Sequence, residues 1–240
     1  VDHHTHQPVT HSPRAILQKQ VERLRARGLS TAVATELEFF VFREDFEALR
    51  DQAYRDMTTI SAYNEDYHLF QTSKEEHLMR AIRTGLQGAG IKVENTKGEA
   101  CAGQAEINVH YGDALDMADN HAILKHAIKE IAWRNGHAVT FMAKWDTDAA
   151  GSSSHIHQSL RDEDGASVFY DASKTHGMSD TMRSYLAGLL TYADDITFFL
   201  APYINSYKRF AEATFAPTKA VWSIDNRTAG YRIVAPETAS

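Results

Sequence analysis

A single cysteine, Cys101, stands in 240 residues, so no disulfide can form within the chain, and a reducing cytoplasm is the simplest setting. No run of about 18 or more apolar residues occurs, which leaves nothing long enough to cross a membrane as a helix. The opening residues, VDHHTHQPVTHSPR, lack the apolar centre of a secretory signal. Positive charge is scarce as well: 25 Lys and Arg face 32 Asp and Glu, a net charge of −7 with no basic block, which argues against a nucleic-acid partner. Repeats and low-complexity segments are absent. What is present is an ordinary globular balance, 43% hydrophobic and 24% charged, and a length that supports one large domain or two small ones without disulfides.

Local patterning predicts mixed helices and strands. Ser12-Pro13 reads as an N-cap with proline at the first helical position; Leu17, Val21 and Leu24 continue the stripe and Gly28 stops it. Residues 32–42, AVATELEFFVF, have the β-branched and aromatic content of a strand. Residues 45–71 read as a long irregular loop. Ser73 with Glu76 forms a capping-box pattern before a helix carrying Leu78, Ile82 and Leu86 and ending at Gly90. Two short strands follow, turning at Gly103. A helix over about 116–135 should turn Ile123, Leu124, Ala127, Ile128 and Ile131 inward. Strands are expected at 138–145 and 155–160, and a helix at 178–193 with Met182, Leu186, Leu189 and Leu190 on one face. This order predicts an α+β fold in which antiparallel hairpins carry acidic residues.

The acids are the chemically suggestive residues. Glu36 and Glu38, two apart on a strand, share a face and are flanked by apolar sequence. Paired carboxylates there repel and are costly to desolvate unless a cation compensates, and hard cations such as Mg²⁺ or Mn²⁺ suit oxygen ligands. An isolated E-x-E is more often a solvated strand face; the apolar flanks are what set this one apart. Glu99 and Glu106 flank ACAGQA, a bend that brings them close. His155 and His157 share a strand face after Gly151 and a serine run, where small residues let backbone and hydroxyls approach a ligand. Asn205, Lys208 and Arg209, then Asn226, Arg227 and Arg232, add groups suited to carboxylates and phosphates. His4 and His6 form a second H-x-H, in a terminal tail where mobility is the rule.

Taken in order, these segments resemble the glutamine synthetase family from about Ala34 to Val234. ATELEFFVF resembles the family's acidic strand, and GEACAGQAE its G-E-x-x-P-G-Q-x-E hairpin. GSSSHIHQSL resembles G-S-G-x-H-x-H-x-S-L, APYINSYKRF resembles P-x-x-N-S-Y-K-R-L, and DNRTAGYRI resembles N-R-S-A-x-x-R-I. The resemblance implies a catalytic domain over 13–240, with 1–12 a remnant of a preceding region and an antiparallel curved sheet flanked by helices. It implies two Mg²⁺ or Mn²⁺ ions per site: Glu38, Glu99 and Glu106 for the first, Glu36 and His155 for the second. His157 and Ser159 align with nucleotide contacts, Gly151 and Arg209 with glutamate-binding positions, and Arg227 and Arg232 with arginines that stabilise the phosphates. The implied reaction phosphorylates the γ-carboxylate of glutamate with ATP, and an amine or ammonia then displaces phosphate. Because the chain is acidic, metals and placed arginines must supply the charge that holds ATP.

Departures from the pattern bear on substrate and completeness. Glutamine synthetases proper carry an acid, six residues past the arginine of N-S-Y-K-R, that helps bind and deprotonate ammonium; here Phe215 stands there, and Glu212 is out of register. Ala150 replaces the asparagine before the glycine of the histidine motif. RF…TFAPT and KGEACAGQAEIN resemble the branch that makes γ-glutamyl amides of polyamines and other amines. The expectation is therefore a γ-glutamyl–amine ligase, with ordinary glutamine synthetase as the alternative. The family also implies a preceding β-grasp domain, a later R-x-E-x-R segment and a ring of six or twelve subunits, so the expectation is that this chain alone is inactive or nearly so. A hydrolase using the early histidines and a non-catalytic relative are the competing readings.

Overall fold

The computed structural model describes residues 1–211 and 214–234. Helix α1 (Pro13–Arg25) begins as expected: Ser12 Oγ accepts from the Ala15 N–H, and Pro13 occupies the first turn, where its missing N–H costs nothing. Strand β1 (Ser30–Phe42) runs through the acidic segment. It is the hub of a five-stranded sheet: β2 (Val93–Gly98), β3 (Gln104–Val109), β1 and β4 (Ala138–Thr140) follow in that order, and β5 (Ser154–Arg161) also pairs with β1. Strands β2 (Val93–Gly98) and β3 (Gln104–Val109) form the expected hairpin, and β3 lies antiparallel to β1 with Glu38 opposite Glu106 and Glu36 opposite Asn108.

One face of this sheet is dry. Leu37, Phe39 and Val41 of β1 and Ile107 of β3 pack with Leu78, Ile82 and Leu86 of α4 (Glu76–Gly88) and Leu124 and Ile128 of α5 (Ala114–Arg134). Alternation along β1 then forces Glu36 and Glu38 to the other face, so the apolar core is what aims the acids.

Four expectations need correction. The 45–71 segment contains helix α2 (Phe46–Asp51), started by Asp45 accepting from the Ala48 N–H, and runs into α3 (Leu69–Ser73). The capping box does not form: Ser73 Oγ donates to the Leu69 carbonyl at 2.7 Å, and Glu76 pairs with Arg83. Ile123 is exposed, because the buried stripe of α5 runs through Met117, Leu124, Ile128 and Ala132, and Ile123 lies one residue off it. The strand expected at 138–145 is only β4 (Ala138–Thr140), paired with Phe40 to Phe42; beyond it the edge of β1 is taken by the segment leading into β5 (Ser154–Arg161), with the Glu38 N–H donating to the Ser153 carbonyl at 3.0 Å.

The chain divides into two compact units, one of residues 1–141 and 152–158, the other of 142–151 and 159–240. The second contains α6 (Asp180–Thr191), started by Ser179, then α7 (Ala193–Leu200), α8 (Ile204–Lys208) and a parallel pair, β6 (Trp222–Ile224) and β7 (Tyr231–Ile233). Met178, Leu186 and Ile233 form a small core there, and the Tyr231 hydroxyl donates to the Leu189 carbonyl. No helix among the described residues is long and apolar enough to cross a membrane.

Candidate metal centre

Glu38, Glu99 and Glu106 each present a carboxylate oxygen within 4.8 Å of the others. Glu38 comes from β1 and Glu106 from the facing position of β3; Glu99 follows β2 at the start of the turn. That turn closes through Gly103, at φ +73°, where an added Cβ would lie 2.6 Å from Thr59 Cβ, so neither the conformation nor the space admits a side chain. Buried Glu65 anchors the same turn by accepting from the Gly103 N–H at 2.9 Å.

Each acid has its own electrostatic setting. Burial opposes ionisation of Glu38. The nearby His155 and hydrogen bonds from Ser153 outweigh it and hold the carboxyl below its usual range. Ser153 supplies both its N–H (2.8 Å) and its Oγ–H (2.5 Å), and Gln104 Nε2 donates at 3.3 Å. Glu36 is held down to about 2, first by its hydrogen bond with His157, whose Nε2 lies 2.5 Å away. Glu106 goes the other way: burial, then the charge of Glu36, push it up to about 7, although Asn108 Nδ2 donates to it at 2.8 Å. A carboxyl raised by burial and by neighbouring carboxylates is one that a cation would stabilise, so the donor set fits a hard divalent ion.

The residues expected at a second ion, Glu36 and His155, stand on the paired strands β1 and β5. His157 Nε2 lies 2.5 Å from Glu36, while His155 Nε2 lies 2.9 Å from Ser153 Oγ and 3.7 Å from Glu38. Both histidines are on the acid-bearing face through the pairing of β5 with β1. Ser153, Gln104, Asn108, Lys97 and Glu65 were not singled out by sequence. Ser153 lies in the serine run already noted, and Gln104 and Lys97 lie in or beside the hairpin motif. For Glu65, whose role depends on a contact 38 residues away, no local signal existed.

In the second unit, Gly151 lies directly against Arg209: an added Cβ would meet Arg209 Cγ at 2.6 Å and the Ala143 carbonyl oxygen at 2.8 Å. Two residues expected to share a substrate are thus neighbours. Asn205 has a different job. Its side-chain amide accepts from the Lys144 N–H at 3.0 Å and donates to the Lys144 carbonyl at 2.7 Å, an imitation of strand pairing. Lys144 Nζ in turn binds the Ala149 carbonyl. Ser159 Oγ is 3.5 Å from Ser167 Oγ. Arg227 is exposed, and Arg232 pairs with Asp225. Phe215 is 73% exposed; Glu212 lies outside the described residues. His4 and His6, at the amino terminus, belong to a turn organised by Asp2, which accepts from the His4 and Thr5 N–H groups.

Comparison with known proteins identifies the family. The family model for the glutamine synthetase catalytic domain matches residues 10–240, and the chain belongs to that family. It is 46% identical over 227 residues to a gamma-glutamylethanolamide synthetase of Streptomyces coelicolor, covering 95% of this chain and 48% of that protein. It is 34% identical to a glutamate–isopropylamine ligase of a Pseudomonas species, covering 98% of this chain and 51% of the relative. A glutamine synthetase of Thermus thermophilus is 36% identical, over 95% of this chain and 50% of the relative. A solved glutamine synthase homolog shares the fold with a TM-score of 0.81 at 23% identity, over 95% of this chain and 50% of that one. The chain spans about half the length of the curated relatives it matches.

Proposed function

We propose that the protein containing this chain is a carbon–nitrogen ligase that joins the γ-carboxylate of L-glutamate to a primary amine at the expense of ATP. The observation that carries the metal-dependent part is the convergence of Glu38, Glu99 and Glu106. The amine is favoured over ammonia by Phe215, an exposed apolar side chain where the family's ammonium-binding acid stands, and by the 46% identity to an ethanolamide synthetase.

In this reading, Glu38, Glu99 and Glu106 hold one Mg²⁺ or Mn²⁺ ion, and Glu36 and His155 contribute to a second. Such ions supply charge neutralisation for phosphoryl transfer. Ser153 and Gln104 keep Glu38 ionised and aimed. Arg209, seated against Gly151, receives the glutamate carboxylate, and Arg227 and Arg232 receive phosphate oxygens, for which a guanidinium's paired donors suit. His157 and Ser159 contact the nucleotide. A γ-carboxylate oxygen attacks the γ-phosphorus, releasing ADP and forming γ-glutamyl phosphate. The amine nitrogen then attacks the carbonyl carbon, phosphate leaves, and the nitrogen loses a proton. The family's ring assembly and a cytoplasmic location belong to the same proposal.

The test is phosphate release by the intact protein with ATP, glutamate and a panel of ammonia, ethanolamine, putrescine and isopropylamine. Ethanolamine or an alkyl amine should exceed ammonia in kcat/KM by at least about tenfold, roughly 1.4 kcal/mol of transition-state discrimination. Equal or better turnover of ammonia would establish ordinary glutamine synthetase instead, the reading that the Thermus thermophilus relative favours.

A further inference from the structure

Lys97 lies among the acids. It is two residues before Glu99 on the hairpin and directly opposite Glu106. Its Nζ is 2.6 Å from Glu99 Oε1 and 3.3 Å from Glu106 Oε1. These are two of the three carboxylates that converge, and the Glu106 side chain is only 3% exposed. We propose that the Lys97 ammonium is an internal cation of the metal centre: it neutralises Glu99 and Glu106 when no ion is bound and competes with a divalent ion for them.

The argument is one of charge and position. Three carboxylates within 4.8 Å of one another repel strongly, and a folded chain that keeps them together needs a compensating charge. An ammonium is a compact point charge with three donors on a flexible stem, so it can satisfy two carboxylates at once and can also withdraw. A divalent ion using the same two carboxylates would stand beside a like charge, so the ammonium must give up contacts as the ion binds. With its side chain 35% exposed, Lys97 has solvent to withdraw into. The ion's affinity is then set partly by this exchange, which makes Lys97 a positioning residue whose removal has opposite effects on the two states.

This inference rests on the metal reading proposed above but not on the choice of amine. The experiment is Mn²⁺ calorimetry and thermal unfolding of the intact protein, its Lys97→Met and Lys97→Arg variants, with no ATP or amine present. Lys97→Met should bind Mn²⁺ on the order of tenfold more tightly, the factor equivalent to 1.4 kcal/mol. Its unfolding temperature should fall without metal and recover by a larger increment when Mn²⁺ is added. Lys97→Arg, which keeps the charge, should retain wild-type affinity within about threefold. Should Lys97→Met fail to fold, the wild-type Lys97 Nζ resonance, followed by NMR during Mg²⁺ titration, decides: it must shift as the ion saturates. Unchanged or weaker Mn²⁺ binding by Lys97→Met, or a lysine resonance unmoved at Mg²⁺ saturation, overturns the inference alone. Absence of Mn²⁺ binding in all three proteins overturns it together with the metal reading.

Discussion

Glu106 is 3% exposed in its side chain, faces Glu38 across the strands and is raised to about 7 by burial and by Glu36. Glu106→Gln removes a charge that burial disfavours and that the proposed ion would use. The expected outcome is a variant of equal or higher unfolding temperature without metal that binds Mn²⁺ at least about tenfold more weakly, read by the same calorimetry. Gly151→Ala tests the other unit. The added carbon would overlap the Arg209 stem, so the guanidinium must shift; KM for glutamate should rise by roughly tenfold while KM for ATP changes less. Equal changes in both constants would remove Arg209 from glutamate recognition.

Buried Glu75 gives a pH signature. Burial first, and then the charge of neighbouring Glu65, raise it from 4.5 to about 8. In the unfolded chain Glu75 loses its proton near 4.5, whereas in the fold it keeps it until about 8. Between those values the folded state holds the extra proton, so stability falls as pH rises through that window and levels off above it. Glu75→Gln cannot ionise. Its unfolding temperature relative to wild type should therefore climb from pH 5 to pH 9, by several degrees, and a constant difference across that range would remove Glu75 as the source.

Among the elements, those with a strong period were legible and those resting on distant partners were not. The β1 strand and the α4 stripe were readable because apolar residues repeat at the period of the element. Ile82 is fully buried between sheet and helix, and Ile82→Ala should cost about 2–5 kcal/mol in denaturant unfolding. The capping box was not readable correctly because Ser73 had a competing acceptor in the turn before it, the Leu69 carbonyl. The strand after Ala138 read too long because the sequence does not show that Ser153 takes the next place on β1. The clustered acids Glu38, Glu99 and Glu106 stood out in the sequence as residue types and as part of an ordered set of motifs. Their pairing was not: which histidine meets Glu36 depends on how β5 registers on β1, a contact spanning 121 residues.

At the scale of the molecule, the two units differ in how much core they own. The first has an extended buried cluster between the sheet and α4 and α5; the second has Met178, Leu186 and Ile233 as a smaller one. Local stability follows buried contact, so amides of β1, β3 and α5 should exchange with solvent slowest and those of α7 and α8 fastest. Hydrogen exchange read by mass spectrometry checks this, and equal protection of α8 and β3 would contradict it.

Asn205 makes one amide do the work of a missing strand. It holds Lys144 by donating to the carbonyl as well as accepting from the N–H. Asn205→Asp would leave the acceptor intact but turn the donor into an oxygen facing the Lys144 carbonyl, trading an attraction for a repulsion. A change of one atom type should thus loosen the 142–151 segment that ends at Gly151, and faster hydrogen exchange of its amides would report it.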